Sequence, residues 1–384
     1  MAGVAEALGD VCELAAQYER AASAYARARS VGADDPRLLL KEGVLRERLG
    51  KYPDALNWYG RGLQNAAPAT KIELELAFAG VKYRQGQYDE AIEWGKRAAA
   101  DAEAAGDRVK LAHAFYLQHI AHTDSGRRET AHRDEALTIL EEVGDLVRLS
   151  SLQNNIGIEA YYDGRWDEAI DWYRRSGETA RRVGDVVNVA RAQNNEGEIL
   201  SDQGRLDDAS VLFQEARRTW RAAQYPIGIA LATSNLGRAA ARGGEFAEAY
   251  RLHDQSLDLF EQIGAEAFVL EARSRKAECL VLEGRFQEAL ELLGPLLEDA
   301  SAAGQRAAVE RLAGYALVQS RAPFEEARSH FEASEAAADA AHAQYELALT
   351  RRAVAETSGA GSDAEADAVL ESLGVIRTAS VPLP

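Results

Sequence analysis

One pattern recurs along the chain at intervals of 34 to 40 residues, and it limits the possible folds more than any other feature. Each occurrence ends in an alanine, and these alanines are Ala21, Ala55, Ala91, Ala131, Ala169, Ala209, Ala249, Ala289 and Ala327. A pair of helices cannot bury its own apolar face, so a repeat of this length indicates stacked helical hairpins. We therefore predict an all-α protein, a right-handed α-solenoid of about nine to ten hairpins.

Two further columns accompany the alanines. Three residues before each alanine stands a large apolar residue, except at Arg128: Tyr18, Tyr52, Tyr88, Trp166, Leu206, Phe246, Phe286 and Phe324. Five residues before it stands a turn residue: Ala16, Gly50, Gly86, Gly126, Gly164, Gly204, Gly244, Gly284 and Ala322. Glycine allows the tight turn inside a hairpin, and the bulky residue is predicted to fill the gap between hairpins.

The helix boundaries follow from local signals. Gly-Asp pairs at 106–107, 144–145 and 184–185 predict the end of one helix and the cap of the next. Pro295 is expected to kink or end its helix. One solenoid is expected over residues 1–373, with a C-terminal tail at 374–384. The predicted hairpins lie near 4–30, 38–65, 72–104, 108–142, 147–182, 187–223, 227–262, 267–302, 306–340 and 343–373, the last interrupted by "SGAGS" at 358–362.

Composition excludes several classes of function. The chain has 44 Lys and Arg against 62 Asp and Glu, and the net charge of −18 opposes binding to nucleic acid or an anionic membrane. Cys12 and Cys279 have no neighbour at metal-binding or redox spacing, which favours a reducing compartment. The sequence contains neither a leader-like start nor a long apolar run, so we expect a cytoplasmic protein. No phosphate-binding loop or catalytic motif is present, so we predict neither enzymatic activity nor a cofactor.

The repeats resemble a known family. The segments "LGKYPDALNWYGRGL" and "QGQYDEAIEWGKRAA" are similar to the tetratricopeptide repeat, and the forty-residue spacing with an "NNxG" first helix resembles the longer-helix subtype of the Leu-Gly-Asn scaffold proteins. The segments "SNLGRAAARGGEFAEA", "AECLVLEGRFQEAL" and "LESLGVIRTASVPLP" resemble the C-terminal repeats of actinobacterial regulators, which carry nucleotide-cyclase and AAA-type ATPase domains upstream. The resemblance implies a binding or sensing module, and it leaves open whether this chain is whole or excised.

Asparagines recur at equivalent points of three successive first helices: Asn154 and Asn155, Asn194 and Asn195, and Asn235. Asparagine is a poor helix former, so its recurrence calls for a role. An amide side chain both donates and accepts, which suits the backbone of an extended peptide in the concave groove. The similar scaffold proteins imply this use. The alternative is that each asparagine bonds a neighbouring helix and maintains the stacking.

Basic and aromatic residues lie near these asparagines. Arg191, Arg238 and Arg242 belong to first helices and would direct the groove toward an acidic or C-terminal segment. Tyr161 and Tyr162 would add aromatic surface, although either could belong to the core.

Four of the seven histidines lie in the fourth hairpin: His113, His119, His122 and His132. His119 and His122 are three residues apart and share a helix face, so they are candidate metal ligands. Packing in an irregular repeat is the alternative, because no cysteine or carboxylate completes a site. We predict no bound metal.

We expect a non-catalytic scaffold or sensor that binds an extended protein segment in its concave groove. One alternative is a solenoid that senses a small molecule. Another is a purely structural or oligomerisation module. The sequence does not identify the partner or the oligomeric state.

Overall fold

The computed structural model describes residues 2–14, 17–31, 35–125, 127, 130–299 and 303–384. Ala16, Gly126 and Arg128, which belong to the repeat columns, lie outside these ranges. Within them the chain forms twenty helices and no strand. In order they are α1 (Ala2–Leu14), α2 (Tyr18–Val31), α3 (Pro36–Arg48), α4 (Tyr52–Leu63), α5 (Pro68–Arg84), α6 (Tyr88–Ala105), α7 (Arg108–Asp124), α8 (Ala131–Val143), α9 (Leu146–Tyr162), α10 (Trp166–Arg182), α11 (Val186–Asp202), α12 (Leu206–Ala222), α13 (Pro226–Arg242), α14 (Phe246–Gln262), α15 (Glu266–Glu283), α16 (Phe286–Asp299), α17 (Ala303–Gln319), α18 (Phe324–Ala340), α19 (Gln344–Ser358) and α20 (Ala364–Ser372).

Consecutive helices pair as hairpins one to ten, from α1–α2 to α19–α20. The chain divides into two compact units, Met1–Leu152 and Gln153–Pro384, and the division falls within α9. In each unit the first helices of successive hairpins also contact one another, as α3 contacts α5 and α13 contacts α15. The all-α solenoid of stacked hairpins predicted from the repeat is confirmed.

Local backbone signals account for the turns and caps. The turn glycines of the described hairpins have positive φ, as at Gly204 (81°) and Gly244 (83°). At the ninth hairpin the prediction was one residue off, because Arg321 rather than Ala322 has the positive φ (60°). Gly106 ends α6 in the left-handed region, and Asp107 accepts a hydrogen bond from the backbone N–H of Lys110 at the start of α7.

Close packing within a hairpin depends on a glycine that faces an aromatic ring. A Cβ on Gly197 would lie 2.7 Å from the ring of Phe213, a distance that real side chains do not tolerate. Five other hairpins have the same contact: Gly9–Tyr25, Gly43–Tyr59, Gly157–Tyr173, Gly237–His253 and Gly314–Phe331. In the ninth hairpin this glycine is Gly314, next to Tyr315.

The predicted plugs between hairpins are buried to different degrees. Trp166 is 3% exposed and lies in an apolar cluster with Tyr345 and Leu370. Phe246 is only partly buried, and Phe324 is 36% exposed, so Phe324 fills no gap. Pro295 does not end its helix, because α16 continues to Asp299.

The first hairpin has an exposed apolar stripe. Val4, Leu8 and Val11 on α1 are 77%, 47% and 63% exposed. Their counterparts one repeat later on α3 are buried: Leu38, Glu42 and Leu45. The difference arises because α3 contacts α2, α4 and α5, whereas α1 is in contact mainly with α2. No helix of the described chain is both long and apolar enough to cross a membrane.

Candidate functional site

The second unit closes on itself. The ring of Tyr345 on α19 lies 5.0 Å from the ring of Trp166 on α10, and its hydroxyl donates to the backbone carbonyl of Asp202 at the end of α11 (3.2 Å). Leu370 and Leu373, in and just after α20, join the cluster that contains Trp166. Hairpin ten therefore contacts hairpins five and six, and the first helices of this unit surround a cavity of about 550 Å³.

The first helices α11, α13 and α15 each carry a stripe of residues about one turn apart, and part of each stripe lines the cavity. On α11 the stripe is Arg191, Asn195, Glu198 and Asp202. Its members are spaced four, three and four residues apart, which keeps them on one face. Forty residues later the same positions on α13 hold Leu231, Asn235, Arg238 and Arg242, and on α15 they hold Glu271, Arg275, Glu278 and Leu282. The cavity is lined by Tyr161, Tyr162, Glu198, Arg238, Glu271, Arg275, Glu278, Arg311, Tyr345 and Glu346, among others.

Alternating charges cross this face from helix to helix. Arg242 donates from Nη1 to Asp202 (2.7 Å) and from Nε to Glu278 (3.0 Å). Arg238 binds the same two carboxylates, at 3.2 Å to Asp202 and 3.1 Å to Glu278. Tyr161 donates its hydroxyl to Asp202 (2.8 Å). These contacts form one buried network across α9, α11, α13 and α15.

The network determines the protonation of its members. Burial alone would raise the pKa of Asp202, but Arg238 and Arg242 outweigh burial and hold it below the ordinary value. The same two arginines lower the pKa of Glu278 despite its burial. Both carboxylates are therefore ionised at neutral pH. Because their charges are already matched, neither Arg238 nor Arg242 offers a free cation to a ligand.

The asparagines form a chain of hydrogen bonds between helices. Asn195 donates to Oδ1 of Asn154 (3.0 Å), and Asn235 donates to Oδ1 of Asn194 (3.0 Å) and to Glu198 (2.7 Å). Asn154, Asn194 and Asn235 are buried, at 5%, 3% and 2% exposure. These three therefore connect neighbouring hairpins, the arrangement that the stacking alternative describes.

Asn155 and Asn195 are half-buried, and neither belongs to the lining of the cavity. Arg275 donates to Oδ1 of Asn235 and extends the chain of bonds to the next helix.

Glu198 differs from the other carboxylates of the cavity. Its Oε1 accepts from Asn194 (3.0 Å) and Asn235 (2.7 Å), and within the described residues it forms no ion pair. Burial raises its pKa above the ordinary value. The buried asparagines therefore position an acidic group at the cavity wall.

The remaining predicted site residues lie as follows. Arg191 is half-buried, one to two turns from Asn195 and Glu198, and has no ion pair within the described ranges. Tyr161 is packed on Trp166, whereas Tyr162 is 53% exposed. His119 is buried in α7, and the ring of His132 lies 4.9 Å from that of Phe115. Across the described part of the chain, no three His, Cys, Asp or Glu residues are grouped so that they could hold a metal. His119 and His122 are therefore not part of such a group.

Sequence reasoning missed Asp202, Glu198, Glu278 and Tyr345. The first three had a signal: Glu198, Arg238 and Glu278 follow one another at forty-residue spacing, as do Asp202 and Arg242, so opposite charges are placed on adjacent helices. Tyr345 had none, because it reaches the site only when the unit closes.

Comparisons with known proteins agree with this architecture. Residues 148–222 match the family model described as tetratricopeptide repeat, and no curated protein sequence matches the chain. Among solved structures, the apo quorum sensor NprR from B. thuringiensis is similar at 15% identity and a TM-score of 0.60, covering 79% of this chain and 86% of that one.

Two similar structures are complexes. NprR in complex with its cognate peptide NprX has 13% identity and a TM-score of 0.58, with 86% of this chain and 96% of that one covered. A Rap protein complexed with Competence and Sporulation Factor has 14% identity and a TM-score of 0.58, with 93% and 99% covered. The tetratricopeptide-repeat match covers residues 148–222, and the hairpins on either side of it have the same paired-helix fold.

Proposed function

We propose that the second unit is a non-catalytic receptor that binds an extended peptide or protein segment in the cavity between its first helices. The observation that carries this proposal is the closure of hairpin ten onto hairpins five and six around a cavity of about 550 Å³. Solved structures of similar fold hold a cognate peptide, NprX, or Competence and Sporulation Factor, which supports a ligand of this kind. Binding would regulate or dock a partner or an attached effector domain.

The cavity wall has what an extended segment requires. Tyr162 presents aromatic surface, and Glu198 presents acceptor oxygens held in place by Asn194 and Asn235. Asn155 and Asn195 are half-buried on successive first helices outside the cavity lining, and we expect them to bind backbone groups where the ligand extends beyond the cavity. The network of Arg238, Arg242, Asp202 and Glu278 provides a rigid, pre-organised floor, so little conformational entropy is lost on binding.

An acidic or C-terminal segment would be held by Arg191. It is the one of the three predicted arginines that has no ion pair within the described residues, since Arg238 and Arg242 are bound by Asp202 and Glu278. The preference for an acidic partner therefore depends on this residue. Arg191→Gln should weaken binding of such a segment and leave that of a neutral segment unchanged.

A random peptide library passed over the immobilised full-length chain tests the proposal, with retained peptides measured afterwards by fluorescence anisotropy. Tyr162→Ala should weaken their binding at least tenfold, since an exposed aromatic in a groove is a typical anchor. Phe324→Ala is the matched control, because Phe324 is also an exposed aromatic but lies on a second helix. Equal binding by both variants would place the site elsewhere.

The same closure gives a specific reason to keep a small-molecule ligand as the second candidate. A cavity of about 550 Å³ with converging polar groups lies within the range of roughly 300–1,000 Å³ typical of small-molecule sites. Thermal-shift screening of metabolites against the wild-type chain and the Glu198→Gln variant separates the two. A metabolite that stabilises the wild type alone would favour the sensor, and retained peptides would favour the receptor.

A further inference from the structure

The C-terminal segment, residues 374–384, leaves α20 and follows the turn-side ends of the first helices without forming a helix of its own. It passes hairpins six, seven, eight and nine in turn. Sequence analysis treated it only as a tail. Its contacts instead resemble those of a bound extended peptide.

At hairpin six the segment is held by Gln203, which is 7% exposed. The Gln203 side chain donates from Nε2 to the backbone carbonyl of Leu373 (3.0 Å), and the backbone carbonyl of Gln203 accepts from the backbone N–H of Ile376 (2.9 Å). The next residue, Gly204, has a φ of 81°, and a Cβ there would lie 2.4 Å from the carbonyl oxygen of Arg377. The segment therefore passes directly over a turn that has no side chain.

At hairpins seven to nine the contacts are apolar and then polar again. Ala379 and Val381 pack against the buried cluster that contains Ala241 and Leu282. Gln319, at the end of α17, is 9% exposed and donates from Nε2 to the carbonyls of Val281 (2.8 Å) and Pro382 (3.0 Å). A second amide side chain thus fixes the far end of the segment.

These contacts recognise backbone atoms and two small apolar side chains, Ala379 and Val381. Backbone hydrogen bonds from buried amides, with a pocket for an alternate side chain, are a general means of binding an extended peptide. We propose that the turn-side ends of α11, α13, α15 and α17 form a docking track for an extended apolar segment of the Val-Pro-Leu-Pro type, and that residues 374–384 are its resident occupant. A partner segment of the same chemistry would bind by displacing them.

The segment also borders a second, smaller cavity next to the central one. Thr378 and Val381 of the segment line a smaller cavity of about 50 Å³ together with Arg242, Glu278 and Tyr345. Glu278 and Tyr345 also line the central cavity. Glu278 and Tyr345 therefore stand between the two cavities, and displacement of the segment would open the smaller one. The docking track itself does not depend on the ligand of the central cavity.

The test uses the full chain and a fluorescent synthetic peptide with the sequence of residues 373–384. In the release variant Ile376→Pro/Val381→Asp, the first change removes the N–H bound by Gln203 and the second places a charge in the apolar cluster. The wild type should not bind the peptide at tens of micromolar, because a tethered competitor has an effective concentration on the order of 1 mM. The release variant should bind it at least tenfold more tightly than the wild type does.

Two controls define the site. A peptide carrying the same two substitutions should not bind the release variant, and adding Gln319→Leu to that variant should weaken binding of the unmodified peptide at least tenfold. Failure of a folded release variant to bind the peptide would overturn the proposal, and so would equal binding by the wild type. If the release variant does not fold, hydrogen exchange of the wild type decides. A protected Ile376 amide supports a resident segment, and exchange at the unprotected rate contradicts it.

Discussion

His253 provides a quantitative test of the packing inside hairpin seven. It occupies the position that holds Phe213 and Phe331 in other hairpins, against Gly237, and its side chain is fully buried. Among the residues that the structure describes, neither ring nitrogen has a hydrogen-bond partner, and burial lowers the pKa of His253 from 6.5 to about 4, with a further contribution from Arg275. Between pH 6.5 and about pH 4, His253 is therefore protonated in the unfolded chain but not in the native chain.

The expected magnitude follows from that interval. Above pH 6.5 the titration of His253 costs no stability, and below it the native state loses about 1.4 kcal/mol for each pH unit until pH 4 is reached. At pH 5 the loss is about 2 kcal/mol. His253→Phe removes this pH dependence. The free energy of unfolding of the variant, relative to that of the wild type, should therefore be about 2 kcal/mol higher at pH 5 than at pH 8.

Urea unfolding followed by circular dichroism at pH 5, 6, 7 and 8 measures the difference. The carboxylates common to both proteins largely cancel in the comparison. The reciprocal change Phe213→His is the matched control, and it should give hairpin six the same sensitivity to acid. A difference between wild type and His253→Phe that stays constant with pH would refute the reasoning, because it would mean that the folded state accommodates the imidazolium.

Three further substitutions test the hydrogen bonds, the buried charges and the packing between hairpins. Asn235→Ala should lower the free energy of unfolding by about 1–3 kcal/mol, since it leaves the buried side-chain carbonyl of Asn194 without its donor. Asn155→Ala, at the same position of an earlier repeat, should be nearly neutral. Equal melting temperatures of the two variants would contradict the role of Asn235 in stacking. Glu75→Gln should raise the melting temperature at pH 8 but not at pH 4. Burial raises the pKa of Glu75 to about 7, so ionising this residue in the folded state costs stability as the pH rises from 4.5 through 7. A gain in melting temperature at pH 4 as well would contradict this. Trp166→Ala should lower the free energy of unfolding by about 3–5 kcal/mol and speed hydrogen exchange in hairpins five and ten. Equally faster exchange along the whole chain would contradict nearest-neighbour packing.

Features that depend on a few neighbouring residues could be predicted from the sequence. The Gly-Asp junctions are examples: Gly184 has a φ of 73° and Asp185 accepts from the backbone N–H of Asn188, as the dipeptide indicates. The glycine turns, the helix pairing and the all-α class follow equally from local geometry and repeat spacing. These interactions span three or four residues, so no distant part of the chain can change them.

The candidate site could be predicted only in part. The asparagine positions were found because they recur every forty residues, but their partners were not, since the same spacing is compatible with a bond to a peptide or to the next helix. Asn154, Asn194 and Asn235 are buried and bonded to neighbouring helices, which favours the stacking alternative for these three. The partners of Arg238 and Arg242 lie 36 to 40 residues away on neighbouring helices, at positions where the sequence shows only alternating charge.

Closure of the second unit was decided by the tertiary structure alone. Tyr345 meets Asp202 across 143 residues, and Gln203 meets Leu373 across 170. These contacts depend on the sum of small rotations between successive hairpins, and a repeat period carries no information about that sum. The sequence by itself determined what each hairpin is and how it joins the next, because those interactions are local. Which hairpins enclose a cavity, and where the C-terminal segment lies, depended on how the rotations accumulate in three dimensions.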